Sequence, residues 1–247
     1  MAGHSKWANI KHRKARQDAK KGKAWSKCSK AIIIAAKQGG GDPDTNLTLR
    51  YAIDEAKACN MAKDTIEKAI KKGTGDLEGV DYEEIVYEGY GPNGVAVLVE
   101  CLTDNRNRTA PELRKIFEKS GGKLGTSGSV AYIFEKQGQI TVNKDAADED
   151  TIMMLALDAG AEDVTDEGEV WLIVTDVDNY RPVREAIEAA ELTLASAELT
   201  MVPNNTVDCT GFGAKVMSLM DTLDDHDDVQ NVHSNFDIPE DELASIE

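Results

Sequence analysis

The spacing of apolar residues divides the chain into a helical first part and a later part in which strands and helices alternate. From Ala8 to Gly22 the apolar positions are Ala8, Ile10, Ala15 and Ala19, too few and too small for a core-facing stripe. This stretch is expected to be mobile until bound. Helical spacing begins at Lys23, where Trp25, Cys28, Ile32 and Ala35 recur until Gly39, Gly40 and Gly41 stop the helix. A second helix is predicted over 46–59, with Leu49, Ala52, Ile53 and Ala56 on one face. A third is predicted to start at Asp64 as N-cap, with Glu67 placed for a near capping box, and to end at Gly73. Residues 74–80 hold two glycines and two acids and read as a linker.

Beyond the linker the period changes from 3.6 to 2. Strands are predicted over 84–88 and 95–102, joined by Gly89-Tyr90-Gly91-Pro92-Asn93-Gly94. A helix over 109–120, a Gly-rich loop over 121–128 and a strand over 129–134 follow. The next elements are strand 139–143, helix 148–159, strands 162–166 and 169–175, helix 180–191 and strand 196–202. Their βαββαβ order is that of a ferredoxin-like unit. A helix over 211–223 and a strand over 229–234 close the pattern, too little for a domain of their own. If they return to the sheet of residues 81–137, that layer is completed and the ferredoxin-like unit becomes an insertion, which surface loops tolerate. The expected fold is α+β with three domains: residues 1–75, a basic arm plus three helices; residues 81–137 with 206–247, a discontinuous α+β domain; and residues 138–205, the insertion.

Charge changes the picture more than composition does. The chain of 247 residues has a formal net charge of −17, which by itself argues against a polyanionic partner. Between Met1 and Lys37, however, nine Lys and two Arg face the single acid Asp18. Residues 38–75 are balanced, with six bases and six acids, and residues 76–247 hold 11 bases against 38 acids. Such asymmetry points to a basic arm for a polyanion and says nothing about fold. Four cysteines without C-x-x-C spacing suggest neither a zinc site nor disulfides, but reduced thiols of a cytoplasmic protein. No apolar run approaches the ~18–20 residues of a membrane span, and the start lacks the apolar core of a secretory signal. A soluble monomer that engages no membrane is expected.

Candidate chemistry is sparse. The string Gly89 to Gly94 matches G-x-G-x-x-G, but a strand and not a helix follows it, so it reads as a turn and not as a dinucleotide cradle. The Gly-rich loop 121–128 fails as a nucleotide site for the same reason. With four histidines, no Walker sequence and no Ser, His and Asp set at a suggestive spacing, an enzyme is not expected, nor a cofactor. The knot Asp224, Asp225, His226, Asp227 and Asp228 lacks the spaced ligands and central Gly of a calcium loop and is expected to be a solvated loop. The candidate nucleic-acid-binding residues are therefore His4, Lys6, Trp7, Lys11, His12, Arg13, Lys14, Arg16, Lys20 and Lys21, with Lys23, Lys27 and Lys30 extending them along the first helix. Trp7 either stacks on an unpaired base or packs back on the helical domain. Arg106 and Arg108 lie between a strand and a helix start. There they either grip phosphate with the helix amides or make a local ion pair with Asp104 or Glu112.

The opening Ala2-Gly3-His4-Ser5-Lys6-Trp7-Ala8-Asn9-Ile10-Lys11-His12-Arg13-Lys14 resembles the signature of the YebC/PmpR family. Gly39-Gly40-Gly41-Asp42-Pro43, Tyr87-Glu88-Gly89-Tyr90-Gly91-Pro92, Thr103-Asp104-Asn105-Arg106-Asn107-Arg108-Thr109, Gly128-Ser129-Val130-Ala131-Tyr132 and Asp227-Asp228-Val229-Gln230 resemble further family motifs, in family order. His233 departs from the Tyr that members often carry. The resemblance implies three domains, the second interrupted by the third, in a cytoplasmic bacterial protein or a mitochondrial relative, the translational activator of cytochrome c oxidase subunit I. Members are described both as DNA-binding transcriptional regulators and as ribosome-associated factors that assist proline-rich synthesis. A basic arm with an aromatic residue suits ribosomal RNA, and the helices at 46–59 and 64–72, short and mixed in charge, offer no basic recognition face for DNA. The expectation is a non-enzymatic translation factor on the ribosome, with promoter binding as the alternative.

Overall fold

The computed structural model describes residues 21–245, without the side chains of residues 21–23 and 240. His4, Lys6, Trp7, Lys11, His12, Arg13, Lys14, Arg16 and Lys20 therefore lie outside the described residues. The described chain forms two compact units, one of residues up to 129 together with 214–232, the other of residues 130–213 and 233–245.

The first unit begins with three helices: α1 (Lys21–Gly39), α2 (Leu47–Ala58) and α3 (Lys63–Thr74). Their apolar stripes meet in a core of Ile32, Leu49, Ala56, Ile66 and Ala69, among others. Each large aliphatic side chain fully removed from water there contributes about 1.5–3 kcal/mol. Trp25, expected on the core face, is instead 46% exposed at its edge, with its indole N–H donating to the Cys59 carbonyl at 2.9 Å. Asn46 joins two helices. Its Oδ1 accepts from the Leu49 amide as N-cap of α2, while its Nδ2 donates to the Ala35 and Gly40 carbonyls at the end of α1.

The start and stop of α3 differ from expectation. Ala62 and not Asp64 is the N-cap, no side chain caps the end, and the near capping box does not form. The left-handed stop is Gly75, with φ 85°, whereas Gly73 lies inside the helix. A Cβ on Gly73 would sit 2.4 Å from the Ile33 carbonyl oxygen, so the missing side chain is what lets α1 and α3 approach.

The same unit contains a four-stranded sheet of order β3-β1-β2-β9, from β1 (Glu83–Tyr90), β2 (Ala96–Thr103), β3 (Lys123–Leu124) and β9 (Val229–Ser234). The β1–β2 hairpin is antiparallel, with Tyr90 opposite Ala96. Its turn is a short 3-10 segment, Pro92–Gly94, in which Asn93 and Gly94 have positive φ, and β2 follows directly. Gly89 and Gly91 serve packing: a Cβ there would lie 2.7 Å from Phe117 on α4 (Arg106–Lys119) and 2.9 Å from Leu219 on α7 (Gly213–Asp224). The late strand β9 thus completes a sheet begun at Glu83, 146 positions before Val229.

The second unit is built on a four-stranded antiparallel sheet of order β5-β6-β4-β7, from β4 (Phe134–Asn143), β5 (Asp163–Asp166), β6 (Val170–Thr175) and β7 (Leu194–Pro203). Helices α5 (Glu149–Asp158) and α6 (Tyr180–Ala189) complete βαββαβ, and the first strand lies beside the third and fourth, as in a ferredoxin-like sheet. Ile140, opposite both Ile173 and Ala197, is fully buried. The strand expected over 129–134 is not one. Residues 131–133 form a 3-10 turn, and β4 begins at Phe134 because Pro203 of β7 is its partner there. The polar run Glu135-Lys136-Gln137 concealed that extension. The tail adds a parallel pair, β8 (Val207–Asp208) with β10 (Phe236–Asp237), and α8 (Glu240–Ser245) in this unit.

Candidate nucleic-acid interface

Four candidate side chains are described, and they separate into two kinds. Lys27 and Lys30 stand one turn apart on α1, while Arg106 and Arg108 stand in the first turn of α4 behind the N-cap Asn105. Lys27 is half-buried with Nζ 3.4 Å from the Gln230 carbonyl, and Arg106 is exposed. Lys30 is turned inward: its Nζ donates to Asp228 Oδ1 at 3.0 Å and to the Asp227 carbonyl at 2.8 Å, and it lies 5.4 Å from the Tyr82 ring centroid. The expectation that Lys30 extends the basic face is therefore corrected, because its ammonium is held inside the fold. Lys21 and Lys23 lie on the first turn of the same helix.

Arg108 follows the ion-pair reading. Its Nη2 donates to Asp228 Oδ2 at 2.7 Å and to Asp104 Oδ1 at 2.9 Å, while its backbone amide donates to the Asn105 side chain. The amide that a phosphate would have used is thus already capped.

Asp228 is the residue the sequence did not mark. It was expected in a solvated loop, yet it is 2% exposed and gathers Lys30 from α1, Arg108 and Thr109 from α4, and Thr103 from β2. The Thr103 and Thr109 hydroxyls lie 3.2 and 2.9 Å from Oδ2. Its own carbonyl accepts from Leu102, which anchors the chain as it enters β9. Burial raises the carboxyl pKa, but hydrogen bonds from Arg108, Lys30 and Thr109 outweigh that and hold it well below the usual carboxylate range. The same contacts raise the Arg108 pKa, with the Asp228 hydrogen bond as the largest cause. His226 adds a brace. Its Nδ1 accepts from the Asp228 amide at 3.2 Å, which leaves Nε2 protonated to donate to Glu112 Oε2 at 3.0 Å. The sequence signals for this assembly were the acidic knot and the two family-like motifs that hold Thr103, Arg108, Thr109 and Asp228, none of which by itself said that they meet.

The outward charges of this unit are of both signs and weakly committed. Arg106 is exposed, and surface pairs such as Lys57 with Asp54 and Lys63 with Glu67 contribute little. These pairs also confirm the mixed charge of α2 and α3. The buried cysteines are inert thiols: burial pushes Cys101 up to about 12 and Cys209 up to about 11. Among the described residues no group of His, Cys, Asp and Glu is placed to hold a metal ion, and no helix is long and apolar enough to cross a membrane.

Comparison with known proteins accords with this architecture. Residues 5–76 match the family described as TACO1/YebC protein N-terminal domain, and residues 82–236 match TACO1/YebC second and third domain. A probable transcriptional regulatory protein of Desulforapulum autotrophicum is 56% identical over 241 residues, covering 97% of this chain and 98% of that protein. One of Dictyoglomus thermophilum is 55% identical over 248 residues, covering 100% of each chain. The crystal structure of a conserved hypothetical protein, Aq1575, from Aquifex aeolicus superposes with a TM-score of 0.80 at 44% identity, covering 91% of this chain and 93% of that one. Both domain profiles and relatives matched over essentially their whole length lead to one conclusion: the chain belongs to the TACO1/YebC family.

Proposed function

We propose that this protein is a non-enzymatic, cytoplasmic regulator of gene expression that binds ribosomal RNA through its basic N-terminal segment and acts on translation. The observation that carries this reading is the segregation of charge: nine Lys and two Arg against one acid up to Lys37, ahead of a body with 38 acids and 11 bases beyond residue 75. A polyanion attracts the first and repels the second, which orients the molecule with the arm inward. The contact residues on this reading are His4, Lys6, Trp7, Lys11, His12, Arg13, Lys14, Arg16, Lys20, Lys21, Lys23 and Lys27, with exposed Arg106 as a second point of contact. Lys30 and Arg108 act on the fold through Asp228. Deleting residues 2–22 abolishes co-sedimentation with ribosomes; persistence of binding in the deleted protein overturns the reading.

A second reading, promoter binding, is favoured by the names of the relatives as probable transcriptional regulatory proteins. It requires sequence-specific protection of duplex DNA at physiological salt, where non-specific binding by a basic arm has weakened steeply.

A further inference from the structure

We infer that the outer face of α5 is a docking surface for a cationic amphipathic segment of a partner protein. Between Thr151 and Asp158 this helix is apolar without interruption, Ile152-Met153-Met154-Leu155-Ala156-Leu157. Ile152 and Ala156 point into the core and are fully buried. Met154 is 61% exposed, Leu157 45% and Met153 37%, on the side where a helix covering a sheet ordinarily carries polar residues. A helix whose middle turns are apolar on the outer as well as the inner face presents a surface that a partner can cover. Val177, also exposed, enlarges the patch: a Cβ on Gly160, at the end of α5, would lie 2.9 Å from Asn179, so the loop bearing Val177 adjoins that end.

Charge around the patch specifies the occupant. Glu149 and Asp150 stand exposed at one end of the helix, Asp158 and Glu162 at the other, and Asp178 beside Val177. Residues 138–205 hold 16 acids and only three bases, Lys144, Arg181 and Arg184. Each of those bases already has an acidic partner: Asp166, Glu185 and Glu188. An acid-rimmed apolar surface with two adjacent methionines suits a helix with one leucine-like face and a cationic border, since methionine adapts its shape to the side chain it meets. A second copy of this chain would set one acidic rim against another.

The test uses the full chain and, as probe, a fluorescein-labelled helix of about 14 Leu and Lys residues with Leu at i, i+3, i+4 and i+7 spacing, followed by anisotropy at physiological salt. Saturable binding is expected, weakened about tenfold or more by Met154→Gln with Leu157→Gln, which removes the apolar contact without changing charge. A peptide of equal charge with Gln in place of Leu is expected to bind the wild type at least about tenfold more weakly. Because both side chains are exposed, thermal unfolding of the double variant should match the wild type, which keeps the comparison interpretable. Equal affinity of wild type and variant, or equal affinity of the two peptides, overturns the inference. So does a wild-type dimer in sedimentation that the double variant loses, which would assign the face to a second copy.

Discussion

The carboxylate of Asp228 lies 3.0 Å from the ammonium of Lys30, a residue 198 positions earlier in the chain, and both are almost wholly removed from solvent. The pair ties the first helix to the entry of β9, and Arg108 closes it from α4 at 2.7 Å. A lysine counted on charge alone as a contact for nucleic acid is thereby a fastener within the first unit.

Removing the shared acceptor leaves two cations facing each other. Asp228→Ala is expected to destabilise the protein by about 3–5 kcal/mol, because a buried ammonium loses its counter-charge. Lys30→Met is expected to cost less, about 1–3 kcal/mol, since Arg108 still pairs with Asp228. Urea unfolding of both variants measures the difference, and an equal or smaller loss for Asp228→Ala contradicts the arrangement.

The same carboxyl sets a dependence on pH. Its folded pKa lies below its unfolded value, so its contribution is fully present above the ordinary Asp pKa of about 3.9 and is lost as pH falls toward the lowered folded value. The stability advantage of wild type over Asp228→Asn should accordingly be constant near neutrality and shrink below about pH 4. A gap that widens in acid would show that burial and not ion pairing governs this group.

Two glycines of α3 should respond differently to the same change. Gly73→Ala places a methyl group against the Ile33 carbonyl and is expected to cost about 1–3 kcal/mol by forcing α1 and α3 apart. Gly75→Ala meets open space but must hold a left-handed backbone, costing about 1–2 kcal/mol without altering helix packing. Hydrogen exchange should detect loosening of α1 in the first variant only.

Asn46 satisfies the exposed end of one helix and the start of the next from a buried position. Asn46→Ala is expected to cost about 2–3 kcal/mol, more than an isolated cap, because the buried Ala35 carbonyl and the part-buried Gly40 carbonyl lose a donor as well. Asn46→Asp keeps the cap but sets a carboxylate oxygen against the two carbonyls that the amide served, so chemical denaturation at neutral pH should place it no higher than Ala.

For function, Arg106 and Lys30 provide a contrast. If Arg106 meets a backbone phosphate, Arg106→Ala weakens binding to single-stranded RNA and lowers the slope of log affinity against log salt by about 0.7. Lys30→Met, measured where it is folded, should leave that slope unchanged. Filter binding across a salt series distinguishes them.

Much of the secondary structure was legible because it rests on local rules. The stripe Leu49, Ala52, Ile53 and Ala56 located α2, and runs of β-branched and aromatic residues on either side of a Gly-rich turn located β1 and β2. The errors fell where local signals carried two meanings. Gly73 looked like a helix stop and is a packing contact, with the stop supplied by Gly75. Val130 to Ile133 looked like a strand but has no partner strand, while polar Glu135 to Gln137, which looked like a boundary, continues one. Of the candidate interface, the arm was legible as charge and the Arg108–Asp104 ion pair as one of two readings, whereas the inward turn of Lys30 and the part of Asp228 were not.

The sequence by itself determined the longer helices and strands, the ferredoxin-like order and the separation of basic from acidic segments, since periodicity, turn chemistry and charge all act over a few neighbouring residues. Only the tertiary structure decided which charges remain outward. Whether an ammonium faces water or a carboxylate 198 positions away depends on how β9 and α1 come together, and burial of Asp228 is affordable only when Lys30, Arg108 and two threonines converge on it.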